Sequence, residues 1–322
     1  MTERRVAERS VAVLAGGLSH EREVSLRSGR RLAGALRAAG LTVHEWDTDA
    51  TLIERLRTDP PDAVVVALHG GEGENGSIQA VLELLGMPFV GTPSPACRRA
   101  WDKPTAKSEL ARAGLDTPDW VALPHATFRE LGARVVLEAM VDRLGLPLML
   151  KPDQGGSALG AQVVADAGDL PAAMVSCLAY ADTVLAERFV DGTEVAVSVV
   201  DDGPGDEPRA LPPVEVEAKG GVYDYTARYT PGGATFHCPA RLDDGVLTTL
   251  RETALAAHRL LGLRDLSRMD AVVAADGRVQ ILEVNVSPGL TDTSLLPTAA
   301  AAEGTDLGVL FAGLVERTVA RG

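Results

Sequence analysis

The stretch SRMDAVVAADGRVQILEVNVSPG (residues 267–289) is the most informative part of the chain. An Asp-Gly dipeptide at 276–277 separates two apolar runs, which predicts a β-hairpin. If this dipeptide forms the turn, the strands oppose each other in two polar pairs, Asp270 with Glu283 and Arg268 with Asn285. Side chains alternate along a strand, so all four share one face. A three-residue bulged turn would shift this register.

The two opposed carboxylates of this hairpin indicate a cation site. Carboxylates directly opposite each other destabilise a strand pair, and a cation between them removes that penalty. The oxygens of Asp270, Glu283 and Asn285 suit Mg²⁺, a hard cation that binds a few carboxylates and keeps phosphate as a further ligand. The alternative is a polar strand that faces solvent and binds no metal.

Composition limits the classes of function. The 322 residues allow two domains or three small ones, and the chain carries 45 acidic against 31 basic residues, a formal charge of −14. This acidity argues against nucleic acid as a partner, because neutralising phosphates requires clustered Lys and Arg. An anionic substrate would require the few basic residues to lie together at its site.

The cysteines and apolar runs predict a soluble cytoplasmic protein. Cys97, Cys177 and Cys238 are odd in number and widely spaced, which fits a reducing compartment. The apolar run at 11–15 is too short for a signal sequence and predicts a buried strand instead. No run approaches the ~18 apolar residues that span a bilayer.

The first hundred residues predict a parallel sheet. Strand-like runs at 11–15, 42–46 and 63–68 alternate with helical patterns at 23–39 and 51–58. This βαβαβ order gives a sheet with helices on both faces. Ligands bind beyond the carboxyl ends of such strands, where two loops follow, GGLSHEREVS (16–25) and HGGEGENGS (69–77).

The middle of the chain carries a candidate phosphate loop. A strand at 146–151 ends in Lys151 and is followed by the glycine-rich PDQGGSALG (152–160). Small residues let backbone N–H groups approach phosphates, although the loop does not match a Walker-type P-loop. Lys103 and Lys151 are candidate phosphate ligands. The alternatives are an ordinary turn and solvated surface lysines.

Other segments are placed by their patterns. Helices are predicted at 101–114, 251–261 and 299–320, strands at 184–189 and 193–200, a solvated hairpin loop at 201–208, and a lid or disordered loop at 219–233.

Taken in order, these motifs resemble those of the D-alanine–D-alanine ligases, which belong to the ATP-grasp superfamily. The matching stretches are GGLSHEREVSLRSG (16–29), ALHGGEGENGSIQ (67–79), WDK (101–103), LKPDQGGSALG (150–160), YDY…RY (223–229) and RMD…LEVNVSPG (268–289). The resemblance implies an α/β fold: a parallel-sheet N-terminal domain (1–100), then central (101–190) and C-terminal (191–322) ATP-grasp subdomains of α+β character, with ATP between the last two.

The resemblance also implies roles for individual residues. Two Mg²⁺ ions, with Mn²⁺ as an alternative, would bind Asp270, Glu283 and Asn285. ATP would contact Lys103, Lys151 and Arg228 at its phosphates, Glu187, Arg188 and Val190 at adenine, and Glu194 at the ribose. The first D-alanine would contact Glu21 through its ammonium, Val24 through its methyl and His69 near its carboxylate. Ser157 and Tyr229 would complete a hydrogen-bonded connection with Glu21, Ser294 and Leu295 would meet the second substrate's carboxylate, and Arg268 with the Gly289 N–H would form an oxyanion hole.

Several of these roles have a structural alternative. Glu21 could be a first-turn helix residue favoured by the helix dipole. His69 could be a structural hydrogen-bonding residue at a strand end, and Tyr229 could pack the loop. Two positions depart from the family pattern: Ala158 replaces a common second serine, and Arg228 replaces lysine, which changes a point donor into a planar fork.

The implied reaction is ATP-dependent ligation of two D-alanines through an acyl phosphate, for peptidoglycan precursor synthesis in the cytoplasm by a homodimer. One alternative is a paralogue that joins other amino acids, for example in secondary metabolism, with Ala158 and Arg228 as adaptations. The other is a nucleotide-binding protein that has lost catalysis, against which the complete Asp270, Glu283, Asn285 and Arg268 set argues. Tyr229 favours an amine acceptor over the hydroxyl acceptor of depsipeptide ligases.

Overall fold

The N-terminal part of the chain forms a four-stranded parallel sheet in the order β2-β1-β3-β4. The computed structural model describes residues 9–203, 205, 207–223, 227–228 and 232–322. The elements of this part are β1 (Ser10–Leu14), α1 (Arg22–Ala38), β2 (Thr42–Trp46), α2 (Leu52–Thr58), β3 (Ala63–Val66), α3 (Ser77–Leu84), β4 (Phe89–Val90) and α4 (Ser94–Trp101). The predicted βαβαβ order and parallel sheet are confirmed.

Strand β1 is apolar throughout because both of its faces are covered. Val11 and Val13 pack in one cluster with residues of α1 and of the C-terminal helix. Ala12 and Leu14 pack on the other side with residues of α2 and α3. A strand buried on both faces reads as a continuous hydrophobic run, which is why this segment is a strand of the core.

The middle of the chain forms an antiparallel sheet in the order β5-β8-β6-β7. Its elements are α5 (Lys103–Arg112), β5 (Trp120–Pro124), α6 (His125–Leu131), α7 (Ala133–Leu144), β6 (Leu148–Pro152), β7 (Gln162–Val164), α8 (Leu170–Leu178) and β8 (Thr183–Arg188). Residues of α6, α7 and α8 form a hydrophobic cluster with one face of this sheet. The strands predicted at 146–151 and 184–189 are β6 and β8.

The helix predicted at 101–114 is interrupted at Asp102. Trp101 ends α4, and α5 begins at Lys103 with Asp102 as its N-cap. The Asp102 carboxylate accepts a hydrogen bond from the Thr105 N–H at 2.8 Å, and Pro104 occupies the first turn. Capping by Asp and a first-turn proline are typical of a helix start, and they separate the two helices here.

The C-terminal part forms a larger antiparallel sheet in the order β12-β11-β9-β13-β14, with β10 also paired to β9. Its strands are β9 (Gly192–Val200), β10 (Arg209–Ala210), β11 (Val214–Ala218), β12 (Ala234–His237), β13 (Leu266–Ala274) and β14 (Val279–Asn285). Helix α9 (Asp244–Leu260) covers one face together with α4 and α5, and begins seven residues earlier than its predicted amphipathic core at 251–261. The other face shares a cluster with the N-terminal sheet.

The predicted hairpin is β13–β14, and its functional register is confirmed although its turn is different. Arg268 pairs with Asn285 and Asp270 with Glu283, whereas Ala271 pairs with Ile281. The turn spans residues 275–277, because the Ala274 N–H bonds to the Arg278 carbonyl. A bulge after Asp270 adds one residue to β14 and returns the pairing to the predicted register.

The closing helix predicted at 299–320 is two helices, α10 (Leu295–Ala302) and α11 (Leu307–Arg321). Gly304 adopts a positive φ of 80° after α10, and the Asp306 carboxylate caps α11 by accepting from the Gly308 and Val309 N–H groups. Helix α11 then packs against α1. Within the described residues no single helix has the length and apolar character to cross a bilayer. Helices α10 and α11 have that length and apolar character only when taken together, and they are bent by 102° relative to each other.

Two predicted loops connect antiparallel strands. Segment 201–208 joins β9 to β10, as predicted, but Asp201 is buried, not solvated, and accepts a hydrogen bond from the Asp265 N–H. Segment 219–233 joins β11 to β12, whose ends pair through Ala218 and Ala234. Tyr229 and residues 224–226 and 230–231 lie outside the described residues, so the predicted role of Tyr229 remains a prediction.

Candidate active site

Two adjoining cavities bring the predicted site residues together. The larger, of about 380 Å³, lies between the middle and C-terminal sheets and falls in the range of small-molecule sites. The smaller, of about 80 Å³, lies between the N-terminal loops and the hairpin. Both are lined by Tyr223, Arg228 and Glu283, so the two cavities meet at these three side chains.

A buried carboxylate between two lysines forms one wall of the larger cavity. Glu187 on β8 lies 2.6 Å from the Lys107 Nζ and 2.7 Å from the Lys151 Nζ, and it is only 1% exposed. Burial alone would raise the pKa of Glu187, but Lys151 and Lys107 outweigh burial and hold that pKa below its usual value. Glu187 is therefore a carboxylate whose orientation both lysines fix.

Lys103 links the glycine-rich loop to the hairpin. Its Nζ donates to the Gly155 carbonyl at 2.7 Å and lies 3.8 Å from Glu283 Oε2. Burial lowers the pKa of the Lys103 ammonium, against the opposing attraction of Glu283. Lys103 and Lys151 both line the larger cavity, so the structure places these candidate phosphate ligands in one cleft.

The residues predicted to contact adenine and the ribose line the same cavity. Arg188, Val190 and Glu194 all contribute to it. Burial raises the pKa of Glu194 to about 7, and the Arg228 charge opposes this shift. Arg188 is about half exposed and lies 3.5 Å from Asp119, so its guanidinium has a carboxylate partner at the rim of the cleft.

The glycine-rich loop closes onto the N-terminal domain at Glu21. The Ser157 hydroxyl donates to Glu21 Oε1, which is the serine–glutamate contact that the sequence predicts. Ser157 and Ala158 both have positive φ, 54° and 56°, so the backbone turns sharply here. A Cβ on Gly156 would lie 2.6 Å from Glu21 Oε2, so any larger residue here would displace the Glu21 carboxylate.

The polar face of the hairpin carries its own counter-charges. Arg268 donates to both carboxylate oxygens of Asp270, at 2.6 and 2.7 Å, and Lys103 lies near Glu283. Burial would lower the pKa of the Arg268 guanidinium, but the Asp270 carboxylate raises that pKa by more than burial lowers it. Arg268 therefore stays charged. The repulsion between opposed carboxylates is thus balanced by protein cations.

The same face fits a hard divalent cation. Asp270, Glu283 and Asn285 present carboxylate and amide oxygens toward the junction of the two cavities, and such donors are those that Mg²⁺ takes. Burial would raise the pKa of Glu283, but Lys103 and its cationic neighbours lower it, so Glu283 is ionised. The Asn285 Oδ1 already accepts from the Ser287 N–H at 2.7 Å and keeps a second lone pair.

The smaller cavity gathers the predicted amino-acid site. It is lined by Glu21, Val24, His69, Ser157, Arg268, Gly289, Ser294 and Leu295, together with the shared residues. Glu21 is the N-cap of α1, so both its predicted role and its helix-start alternative fit its position. Burial raises the pKa of the Glu21 carboxyl, while the Ser157 hydroxyl and the Arg228 charge lower it.

His69 is a neutral hydrogen-bonding bridge. Its Nδ1 lies 3.1 Å from the Ser287 carbonyl, which can only accept, and its Nε2 lies 2.7 Å from the Ser28 hydroxyl. Nδ1 therefore carries the proton, and Nε2 accepts from Ser28. Burial lowers the pKa of His69 to about 4. The hydrogen-bonding alternative describes this arrangement, and the predicted carboxylate contact would need one of these bonds to open.

The sequence reasoning did not single out four residues at or next to these walls. Glu74 and Tyr223 line the smaller cavity, whereas Lys107 contacts Glu187 and Ser28 contacts His69. A signal existed for Lys107, which follows Lys103 by one helical turn and so shares its face. Glu74 lies in the quoted loop HGGEGENGS, and burial raises its pKa to about 8. Ser28 follows Val24 by one turn of α1. Tyr223 had no positional signal beyond its loop.

The chain is similar to known proteins over nearly its whole length. Residues 110–316 match the family described as D-ala D-ala ligase C-terminus. The chain is 38% identical over 309 residues to the D-alanine–D-alanine ligase of Moorella thermoacetica, covering 96% of this chain and 97% of that protein. It is 39% identical over 307 residues to that of Nitrosomonas europaea, covering 95% and 96%. The structure of the D-alanine–D-alanine ligase from Bacillus anthracis complexed with ATP aligns with a TM-score of 0.79 at 26% identity, covering 97% and 98%.

Proposed function

The chain belongs to the D-alanine–D-alanine ligase family, and we propose that it joins two D-alanines in an ATP-dependent reaction through an acyl-phosphate intermediate. The observation that carries this proposal is the junction of a nucleotide-sized cavity with an amino-acid-sized cavity at Glu283, Arg228 and Tyr223. A phosphoryl group and a substrate carboxylate must meet in this reaction, and the junction is where they can.

ATP fits the larger cavity by the chemistry of its walls. Adenine lies beside Glu187, Arg188 and Val190, with the ribose near Glu194, and the phosphates extend toward Lys103, Lys151 and Arg228. Phosphoryl transfer depends mainly on positioning and on neutralising charge, which these buried cations supply. This arrangement also explains how a chain of net negative charge can bind an anion, because these lysines and this arginine lie together at the proposed phosphate site.

Mg²⁺ fits Asp270, Glu283 and Asn285, whose oxygens would hold it between the hairpin and the phosphates. A bound divalent ion neutralises phosphate charge and orients the transferring group. Because Arg268 already neutralises Asp270, the protein holds this acidic face together before any ion binds. Lys103 does the same for Glu283.

The first D-alanine lies in the smaller cavity with its ammonium on Glu21 and its methyl against Val24. Its carboxylate then points toward the junction, where it accepts the phosphoryl group. The amine of the second D-alanine attacks the acyl phosphate, and Arg268 with the Gly289 N–H stabilises the oxyanion that forms. One such donor contributes about 3–4 kcal/mol to the transition state. Ser294 and Leu295 contact the carboxylate of the second D-alanine.

D-alanyl-D-alanine is a building block of peptidoglycan, so the proposed role is supply of that precursor in the cytoplasm, where ATP is available. The three cysteines are unpaired, in keeping with a reducing compartment. A homodimer and the involvement of Tyr229 remain predictions.

The test is a substrate panel with product identification. Purified protein with ATP, Mg²⁺ and D-alanine is expected to release phosphate and form D-alanyl-D-alanine. Activity with another amino-acid pair but not with D-alanine would select the paralogue alternative. No amino-acid-dependent phosphate release across a panel of D- and L-amino acids would overturn both enzyme proposals and leave nucleotide binding alone.

A further inference from the structure

Segment 287–294, named here the acceptor loop, connects β14 to α10 and carries both Gly289 and Ser294. It is internally braced: the Thr291 N–H donates to the Ser294 hydroxyl at 3.0 Å, and the Ser294 N–H donates to the Thr291 carbonyl at 3.0 Å. A Cβ on Gly289 would lie 2.7 Å from the Ser294 hydroxyl oxygen. Gly289 and Ser294 are therefore packed together, so a contact that fixes the position of Gly289 also fixes that of Ser294.

The acceptor loop is tied to the N-terminal domain by several side-chain bonds. Ser287 donates to the Leu68 carbonyl at 2.8 Å, and His69 donates to the Ser287 carbonyl at 3.1 Å. The Leu290 N–H donates to the Ser28 hydroxyl at 3.2 Å. These bonds hold the first half of the loop against β3 and α1.

Arg31 holds the second half. Its Nη1 donates to two consecutive carbonyls, that of Leu290 at 2.9 Å and that of Thr291 at 2.7 Å. Its Nε lies 2.9 Å from Asp292, whose side chain is 91% exposed. An ion pair to so exposed a carboxylate contributes little, so the two charge-assisted bonds to backbone carbonyls are the effective contact.

The position of Arg31 on α1 gives this contact a functional consequence. Glu21 caps the N-terminus of α1, and Arg31 follows ten residues later on the same helix, a distance of about 15 Å at the helical rise. A single rigid helix thus connects the group that binds the donor ammonium with the loop that binds the acceptor. Neither Glu21 nor Arg31 touches the other's site directly.

We propose that Arg31 is a positioning residue for the acceptor: through the Leu290 and Thr291 carbonyls it fixes the acceptor loop relative to the donor site. The inference rests on the proposed function, because the acceptor role of Ser294 does. Arg31 touches neither substrate, so its loss is expected to impair the second half-reaction and to spare the first.

The test separates the two half-reactions in the full-length enzyme. Acyl-phosphate formation is followed by positional isotope exchange in ATP labelled with ¹⁸O at the β,γ-bridging oxygen, at a D-alanine concentration that fills only the donor site. Ligation is followed by D-alanyl-D-alanine formation. The variants are Arg31→Met, with Arg31→Lys as the conservative replacement, since lysine keeps the charge but loses the fork. Arg30→Met is the matched control, because Arg30 is the adjacent exposed arginine of the same helix.

Arg31→Met is expected to raise the KM for the acceptor D-alanine about tenfold, with isotope exchange within about twofold of the wild-type rate. The acceptor KM of Arg31→Lys is expected to lie between those of the wild type and Arg31→Met. Arg30→Met is expected to match the wild type in both assays. An unchanged acceptor KM, or an equal loss of isotope exchange and ligation, would overturn the proposal. Failure of the proposed function is distinguishable, because the wild type itself would then show no D-alanine-dependent exchange.

Discussion

The position of the Glu21 carboxylate depends on a neighbouring glycine, Gly156, which has no side chain. The Glu21 carboxylate accepts from Ser157 and lies where a Cβ on Gly156 would come within 2.6 Å of it. The family resemblance implies the serine contact, because Glu21 and Ser157 both lie in motifs that carry that resemblance. The sequence explains the glycine at 156 only by the approach of its loop to phosphates. It does not reveal the contact with Glu21, because these residues are more than a hundred positions apart.

Gly156→Ala is therefore expected to displace the Glu21 carboxylate without unfolding the protein, because the atom that must move is the end of a flexible side chain. The KM for the donor D-alanine should rise about tenfold, the cost of one charge-assisted hydrogen bond. Steady-state kinetics at varied D-alanine would measure this. Gly245→Ala is the matched control, since a Cβ there meets nothing within 4 Å. A donor KM equal in the two variants would contradict the steric explanation.

Glu283 lines both cavities, so the proposed nucleotide, amino-acid and metal sites meet at this residue. Glu283→Gln keeps the size and one oxygen but removes the charge, so ligation is expected to fall by more than about 100-fold, as for loss of a metal ligand. The matched variant is Glu303→Gln on the surface, which should leave turnover unchanged. Retained turnover in Glu283→Gln, over a Mg²⁺ titration, would refute the metal assignment.

At the scale of elements, the β13–β14 hairpin separates what a local pattern fixes from what it does not. The polar pairs at 268/285 and 270/283 are present as the alternation of side chains predicts. The turn is one residue longer than the Asp-Gly signal predicts, and a bulge at Leu282 compensates for it. The bulged residue's carbonyl lies 3.5 Å from the Lys151 Nζ, so the irregularity faces the other sheet of the cleft.

At the junction of helices α4 and α5, by contrast, the local pattern does not predict the observed structure. The sequence predicts one helix over 101–114, whereas residue 101 ends α4 and the break at Asp102 depends on a capping bond and a proline. The break matters because α5 then directs Lys103 into the cleft, while Lys107, one turn later, contacts Glu187 in the cleft wall. Lys107 is almost fully buried between Glu187 and Thr117. The helical pattern of the sequence does not predict this burial of a lysine.

Lys107→Met is expected to lower the free energy of unfolding by about 2 kcal/mol, because Glu187 then keeps only Lys151 as a partner for a buried charge. Urea unfolding of the ligand-free protein at pH 7 would measure the change. Lys219→Met is the matched control, since Lys219 is exposed, and it should stay within about 0.5 kcal/mol of the wild type. Equal stabilities of the two variants would show that the Lys107–Glu187 pair is energetically neutral.

At the scale of the whole molecule, the active site is assembled from three sheets that are far apart in sequence. The loops that follow the N-terminal strands supply Glu21 and His69, the middle sheet supplies Lys151 and Glu187, and the C-terminal sheet supplies Arg268 and Glu283. His69 ties the first to the third by bonding Ser28 and the Ser287 carbonyl at once. Its neutrality is a property of this assembly, since burial lowers its pKa to about 4 from 6.5.

This neutrality predicts a dependence of stability on pH. Between pH 6.5 and 4 the unfolded chain binds a proton at His69 that the folded protein does not, so the free energy of unfolding falls as the pH is lowered through that window. The loss at pH 4 is roughly 2–3 kcal/mol. His69→Asn, which keeps a donor for Ser287 but cannot titrate, should lose correspondingly less over the same window. Urea unfolding of both proteins from pH 7 to 4 is the measurement, and parallel curves would rule out His69 as the source.

The sequence by itself determined the buried strands, the hairpin and the chemistry of this protein, because these are encoded locally. Alternation places Asp270, Glu283, Arg268 and Asn285 on one face, continuous apolar runs give the buried strands, and the ordered motifs give the family. Only the tertiary structure decided which groups meet. The Arg268–Asp270 pair, the buried Lys107, the neutral His69 and the hold of Arg31 on the acceptor loop depend on burial and on distances between segments up to 260 residues apart. Desolvation and close approach are properties of the packed chain, and no local pattern records them.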